Sequence, residues 1–298
     1  MSMNWTLPVR PPFSLPAVIR SHGWVQLAPF ASDDEQQTLS YISELDSGRV
    51  VEIQISETGG GVNISVEGPL EEREMVDVSD RVKWMIGLDQ DLAEFYARAR
   101  GEPKLAHVEE QGRGRILRSP SLFEDIVKTV LTTNTAWSGT VRMVGALVSH
   151  FGAPLANDPS RRTFPSPERV AVSDEGTLRA QARLGYRASY ILSLARSVAS
   201  GALDLEGFKN PEIGTPELRK QLLAIKGVGD YAAANLLVLL GRYDFLPVDS
   251  WALKCVSHEW HDGQPIGRAE VEAAFEAWGA FKGLAYWFWD WSYLSDER

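Results

Sequence analysis

Apolar residues follow two different periods along this chain. Between residues 38 and 67 they recur at every second position. Val51, Ile53 and Ile55 alternate with Glu52, Gln54 and Ser56, and Val62, Ile64 and Val66 follow the glycine-rich turn 58–61. A period of two marks strands buried on one face. Strands are therefore expected over 38–45, 49–56 and 61–67, forming a small antiparallel sheet, with the proline-rich residues 1–16 as an extended lead-in. Beyond this stretch the spacing changes to three and four. Val82, Met85, Ile86, Leu92, Phe95 and Tyr96 form the apolar side of a helix over 80–100. The same spacing predicts helices over 121–133 (Phe123, Ile126, Val127 and Val130 inward), 137–151, 187–200, 217–225, 230–241 and 250–260. A last helical stretch, 268–291, breaks near 279–283. The expected class is α+β, with a β-rich N-terminal domain over 1–110 and an all-helical part over 111–298.

One stretch interrupts the helical pattern in a way that bears on chemistry. An apolar segment stops at Lys226, Gly227-Val228-Gly229 makes a tight break, and a second apolar segment starts at Asp230. Glycines permit backbone angles that a Cβ forbids and let the backbone approach another surface closely. Asp230 suits the N-cap of the second helix, and Ala232, Ala233 and Ala234 are good helix formers. A helix N-terminus with free N–H groups beside a bare turn is a site for an anion such as phosphate. After the second helix a short polar link leads to Pro247-Val248-Asp249, a positioned carboxylate ahead of the next helix.

Composition and charge narrow the setting. The hydrophobic share of 44% and charged share of 23% describe a globular protein, and no apolar run is long enough to span a bilayer. The single cysteine, Cys255, excludes an internal disulfide framework and a four-cysteine iron–sulfur cluster. These features predict an intracellular, cytoplasmic protein, nucleoid-associated if bacterial, with no membrane partner. The net charge of −10 is unevenly distributed: residues 1–110 hold 9 basic and 19 acidic side chains, residues 111–254 hold 18 and 13. A locally basic region binds phosphates even on an acidic chain, and the balance predicts modest, salt-sensitive affinity for nucleic acid.

The order of hairpin, link and aspartate resembles the helix-hairpin-helix DNA glycosylase superfamily. Most of the chain is similar to its alkylbase (3-methyladenine type II) and 8-oxoguanine branches. Arg115-Ile116-Leu117-Arg118-Ser119-Pro120 resembles their entry to the helical domain, and Leu184-Gly185-Tyr186-Arg187-Ala188 is close to a sequence of the 8-oxoguanine branch. The segment from Trp278-Gly279 to Asp290 matches the helix lining the base pocket. The resemblance implies a helical core of two lobes with a central cleft, acting as a monomer on duplex DNA that contains a damaged base. It implies that the amides of Gly227, Val228 and Gly229 hold a DNA phosphate, with a monovalent cation at the hairpin as the only associated ion and no other cofactor. It assigns Asn134 to the vacated position in the duplex, Tyr186 to a wedge, Arg187 to the orphaned base and Asp249 to excision.

These roles make physical sense together. Extruding a nucleotide costs stacking and pairing. Tyr186 replaces stacking, while Asn134 and Arg187 satisfy the abandoned hydrogen-bonding edge. Cleaving an N-glycosidic bond builds positive charge on the sugar, which a fixed carboxylate at Asp249 stabilises. One departure bears on the reaction: bifunctional members carry a lysine two residues past the second hairpin glycine, and here that residue is Tyr231. A monofunctional enzyme using water is therefore expected, with no strand cleavage.

Tyr231 and Asn235 lie one helical turn apart, and Tyr286 and Asp290 have the same spacing, so these four are the candidate base pocket. Trp24, in His22-Gly23-Trp24, is expected beside the cleft. Aromatic walls favour cationic alkylated purines by stacking and cation–π attraction. Asn134, Tyr186 and Arg187 favour oxidised guanine, the alternative substrate. A non-catalytic DNA-binding module is the third reading, which the intact Pro247-Val248-Asp249 opposes.

Overall fold

Val51, Ile53 and Ile55 are buried, as are Val62, Ile64 and Val66, so the alternation in sequence is the alternation between core and solvent in the fold. The computed structural model describes residues 2–292 and Leu294. Its sheet has five antiparallel strands: β1 (Ser2–Pro8), β2 (Phe30–Asp33), β3 (Thr38–Glu44), β4 (Val50–Thr58) and β5 (Gly61–Glu67), in the order β1-β5-β4-β3-β2. The register sets Ile55 opposite Ile64 and Ile53 opposite Val66, which stacks β-branched pairs on the core side. Residues 1–16 were expected as an extended lead-in, and β1 lies within them. It is an edge strand in which Met3, Trp5 and Leu7 alternate with exposed residues, a period of two that is short and closed by Pro8.

Packing divides the chain into two units, Met1–Asp89 with Arg115–Gly207, and Gln90–Gly114 with Phe208–Arg298. The expected boundary near residue 110 runs differently: the sheet shares its unit with the first half of the helical part.

In the first unit, α1 (Leu15–Ile19) and α2 (Glu72–Met85) accompany the sheet. The helix expected over 80–100 is split, because Gly87 takes a left-handed φ of 67° and ends the run after α2; α3 (Ala93–Ala99) and α4 (His107–Glu110) belong to the second unit. α5 (Leu122–Thr132) starts under a Ser121 cap and is buried from Leu122 to Leu131, polar residues included. Lys128 pairs with Glu124 at 2.6 Å, its ammonium 4.6 Å from the centre of the Phe30 ring, and Tyr41 donates to Glu124 at 2.5 Å. Buried charges persist only when paired in this way. α6 (Trp137–Phe151) leads into the short hairpin β6 (Pro154–Leu155) and β7 (Asp158–Arg162). α7 (Pro167–Ala171), α8 (Glu175–Gln181) and α9 (Arg187–Ala199) complete the unit.

The second unit continues with α10 (Thr215–Leu223), α11 (Asp230–Leu239), α12 (Ser250–Trp260), α13 (Arg268–Ala274) and α14 (Lys282–Phe288). Its centre is aromatic. Phe275 meets Trp260, Tyr286 and Trp289 with ring centroids 5.3 to 5.7 Å apart, near edge-to-face. No helix among the described residues is long and apolar enough to cross a membrane.

Candidate active site and nucleic-acid interface

The hairpin between α10 and α11 is built on Gly227, whose φ of 95° excludes a side chain without strain. Gly229 differs. Its φ of −97° suits any residue, and a Cβ there would meet no protein atom within 4 Å. Neither conformation nor packing within the protein requires that glycine, which leaves its bare face open to solvent. Val228 is buried and anchors the turn, and its N–H is donated to the Ile225 carbonyl. Of the three hairpin amides, those of Gly227 and Gly229 therefore remain available to an anion. The N-cap of α11 is Gly229, and Asp230 lies one position inside, paired with Arg219. This corrects the expectation that Asp230 caps the helix; the cap is left without a side-chain acceptor, so the helix end stays open.

Asp249 is the N-cap of α12 and accepts from the Ala252 amide through Oδ1 at 2.8 Å. Its Oδ2 takes no hydrogen bond and no ion pair among the described residues, and the side chain is half-buried. The loop that presents it is braced from α14. Gly283 donates its N–H to the Tyr243 carbonyl at 2.6 Å, and a Cβ on it would lie 2.7 Å from the Phe245 carbonyl. A glycine is required there because backbone passes over backbone.

Tyr231 and Tyr286 both feel this carboxylate. Burial first, and then Asp249, push each phenol above its ordinary pKa, so both stay neutral donors at physiological pH. Tyr231 is 37% exposed, at the start of α11. Asn235 lies beside it, donating Nδ2 to the Tyr231 carbonyl at 2.9 Å. Tyr286 is buried against Phe275 and Trp291, and Trp291 donates to its carbonyl at 3.2 Å.

Asp290 does not join this group. α14 ends at Phe288, so the helical spacing from Tyr286 to Asp290 does not exist. Asp290 is exposed, accepts from the Ser292 amide at 3.0 Å, and is held below the usual carboxylate range chiefly by that residue, with His107 and Lys104 adding to it. The pocket wall assigned to it from sequence is unsupported.

The first unit brings Asn134, Tyr186 and Arg187 together. Asn134 takes a left-handed φ of 49° in an exposed turn after α5 and donates Nδ2 to the Tyr186 hydroxyl at 3.4 Å. Tyr186 is 47% exposed. Arg187 is buried: its guanidinium sits 4.6 Å from the centre of the Tyr186 ring and donates to the carbonyls of Thr133 and Asn134. In this arrangement it holds the Asn134 turn. Trp24, expected beside a cleft, is buried in the same unit and donates its indole N–H to Asp125.

No family model matches the chain. It is 27% identical over 188 residues to the DNA-3-methyladenine glycosylase of Bacillus subtilis, a match covering 62% of this chain and 61% of that protein. Among solved structures, the 3-methyladenine DNA-glycosylase from Archaeoglobus fulgidus is similar at a TM-score of 0.76 with 23% identity, over 98% of each chain. The 8-oxoguanine glycosylase/lyase of Clostridium acetobutylicum aligns at 0.69 with 20% identity, over 93% of this chain and 91% of that one. In fold the chain is similar to these two glycosylases, and in sequence to the Bacillus subtilis DNA-3-methyladenine glycosylase, of whose length the match spans 61%.

Proposed function

We propose that this protein is a monofunctional DNA N-glycosylase of base excision repair, which extrudes an alkylated purine from duplex DNA and hydrolyses its glycosidic bond. The observation that carries the reading is the half-buried Asp249, whose Oδ2 is free and which is paired to no cation among the described residues, with the phenols of Tyr231 and Tyr286 within its field. A cationic base such as 3-methyladenine or 7-methylguanine leaves as a neutral molecule, so its departure needs no proton donor. What needs stabilising is the positive charge on the sugar, and an unpaired carboxylate does that. The same oxygen orients the attacking water. The aromatic faces of Tyr231 and Tyr286 add attraction for a cationic base.

The available amides of Gly227 and Gly229 take a phosphate of the damaged strand. Asn134 and Tyr186 occupy the space the nucleotide leaves, and Arg187 keeps that turn rigid. The assembled Asn134, Tyr186 and Arg187 group favours a second reading, excision of oxidised purines such as 8-oxoguanine. A DNA-3-methyladenine glycosylase among its relatives supports the first reading, and the fold it shares with an 8-oxoguanine glycosylase/lyase keeps the second.

Duplexes holding single 7-methylguanine, 3-methyladenine or 8-oxoguanine lesions test this directly. The alkylated duplexes should yield abasic sites that break only on alkali treatment, and borohydride should trap no covalent complex. Excision of 8-oxoguanine alone would transfer the function to the second reading. A trapped complex would overturn the monofunctional assignment.

A further inference from the structure

Five consecutive residues of the first unit, 134–138, are exposed, and one of them is a tryptophan. Trp137 is 37% exposed at the first position of α6, three residues past Asn134. A single exposed aromatic is unremarkable in itself. This one is held in place from two sides. Its indole N–H donates to the Gln26 side-chain oxygen at 2.7 Å. Its six-membered ring lies directly on the backbone of Gly23, where a Cβ would clash with the ring. Gly23 has no left-handed φ, so the ring, not the backbone conformation, excludes a side chain there. The His22-Gly23-Trp24 segment is in turn fixed to the body of the unit. His22 bonds the Leu117 carbonyl at 2.6 Å, and Trp24 bonds Asp125 at 2.8 Å.

A large apolar ring kept partly open, in one orientation, on a rigid support is what stacking on a nucleobase or packing on a deoxyribose requires. The ring's freedom is already lost before binding, so contact with it costs little further entropy. Its neighbourhood fits the same partner. Asn134, three residues away, and Tyr186 are exposed and bonded to each other.

We propose that Trp137 is a further DNA-contact residue, a pre-set aromatic platform for a nucleotide adjacent to the one Asn134 replaces. This rests on the repair reading above and adds a recognition element to it. Base–aromatic contacts of this kind shift affinity by roughly five-fold to a hundred-fold on removal of the ring.

The test uses fluorescence anisotropy of the full chain on a duplex holding a tetrahydrofuran abasic analogue, beside the same duplex intact. Trp137→Ala should weaken binding to the abasic duplex on the order of tenfold. It should also raise by the same factor the protein concentration giving half-maximal excision. Trp137→Phe should restore most of the affinity. Trp137→Leu, which fills the space over Gly23 without an aromatic face, should not, and it carries the comparison should the alanine variant fail to fold. Gly23→Ala, which leaves the ring intact but displaces it, should weaken binding in the same direction. Wild-type affinity in Trp137→Ala, or full recovery by leucine, would overturn the proposal while excision by the wild type stands. A wild-type protein that neither prefers the abasic duplex nor excises any lesion would overturn the repair reading itself, and this proposal with it.

Discussion

The indole N–H of Trp24 donates to Oδ1 of Asp125 at 2.8 Å, with both residues buried and 101 positions apart in sequence. The same oxygen accepts from the Ser119 amide at 3.0 Å. A turn in the N-terminal segment is thereby fixed to the buried helix α5, whose far end carries Asn134. His22, two residues before Trp24, packs against it with ring centroids 4.6 Å apart and the planes tilted by 43°. The pair His22 and Asp125 thus brings two titratable groups into the interior of one unit.

These two groups make opposite contributions to stability as pH changes. Desolvation by burial holds His22 down at about 4, so its share of stability is complete above the ordinary value of 6.5 and is lost as pH falls toward 4. Desolvation raises Asp125 to about 6 from 3.8, so its share is complete below 3.8 and is lost as pH rises through 6. Replacing His22 by Asn should make the protein gain stability relative to wild type on going from pH 7 to pH 5, by about 2 kcal/mol. Asp125→Asn should do the reverse, by about 1 kcal/mol over the same interval. Urea midpoints at the two pH values measure both. Equal pH slopes for His22→Asn and wild type would show that the ring does not titrate in this way.

Asp249 combines a structural and a chemical duty, and two substitutions separate them. Asparagine keeps an oxygen for the Ala252 amide but removes the charge, so Asp249→Asn should retain the melting temperature and lose excision by several orders of magnitude. Asp249→Ala removes the cap as well and should cost about 1 kcal/mol of stability in addition. Single-turnover excision and thermal denaturation of the two variants give the comparison. Substantial excision by Asp249→Asn would mean that the charge plays no part in the reaction.

The hairpin glycines separate conformation from contact. Gly227→Ala forces a left-handed φ on a residue with a side chain and should destabilise the fold by about 1 kcal/mol or more. Gly229→Ala introduces a methyl group that meets no protein atom, so stability should hold or rise slightly. Its effect should fall on DNA affinity, where the methyl group enters the space a phosphate takes. Anisotropy on duplex DNA beside a denaturation curve for each variant distinguishes the two. Unaltered affinity in Gly229→Ala would remove the hairpin from the binding surface.

The features legible in the sequence were those with a local signature. The alternation at residues 51–56 and 62–66 gave the inner strands, and the glycine break with its following aspartate gave the site's order along the chain. What escaped was set by tertiary contact. β1 carries a short alternation of three apolar residues, Met3, Trp5 and Leu7, and is a strand because β5 offers it an edge. Glu124, Asp125 and Lys128 lie outside the apolar spacing of the 121–133 helix, yet they are buried, with Tyr41 donating to Glu124, Trp24 to Asp125 and Lys128 paired with Glu124. Asp290 was assigned by helical spacing to a helix that has already ended at Phe288. Trp137 carried no signal of its own; the clue lay 114 positions away in Gly23, whose bare backbone the ring covers.

Arg187, expected to contact the orphaned base, is bonded within the protein to the turn that carries Asn134. Its guanidinium binds the carbonyls of Thr133 and Asn134 and stacks on Tyr186, so it holds Asn134 in the left-handed conformation that exposes its amide. Arg187→Ala leaves two carbonyls of a tight turn without their donor and should destabilise the protein by about 2 kcal/mol. Arg187→Lys retains the charge but not the planar fork and should recover little. The informative measurement is the response to the base opposite the lesion. A direct reader would impose a preference among the four opposite bases, and its loss would flatten that preference. A residue that only positions Asn134 should lower excision by a similar factor whichever base stands opposite. Excision of one lesion paired in turn with each of the four bases, by wild type and Arg187→Ala, decides between them, and a preference abolished by the substitution would return Arg187 to direct contact with DNA.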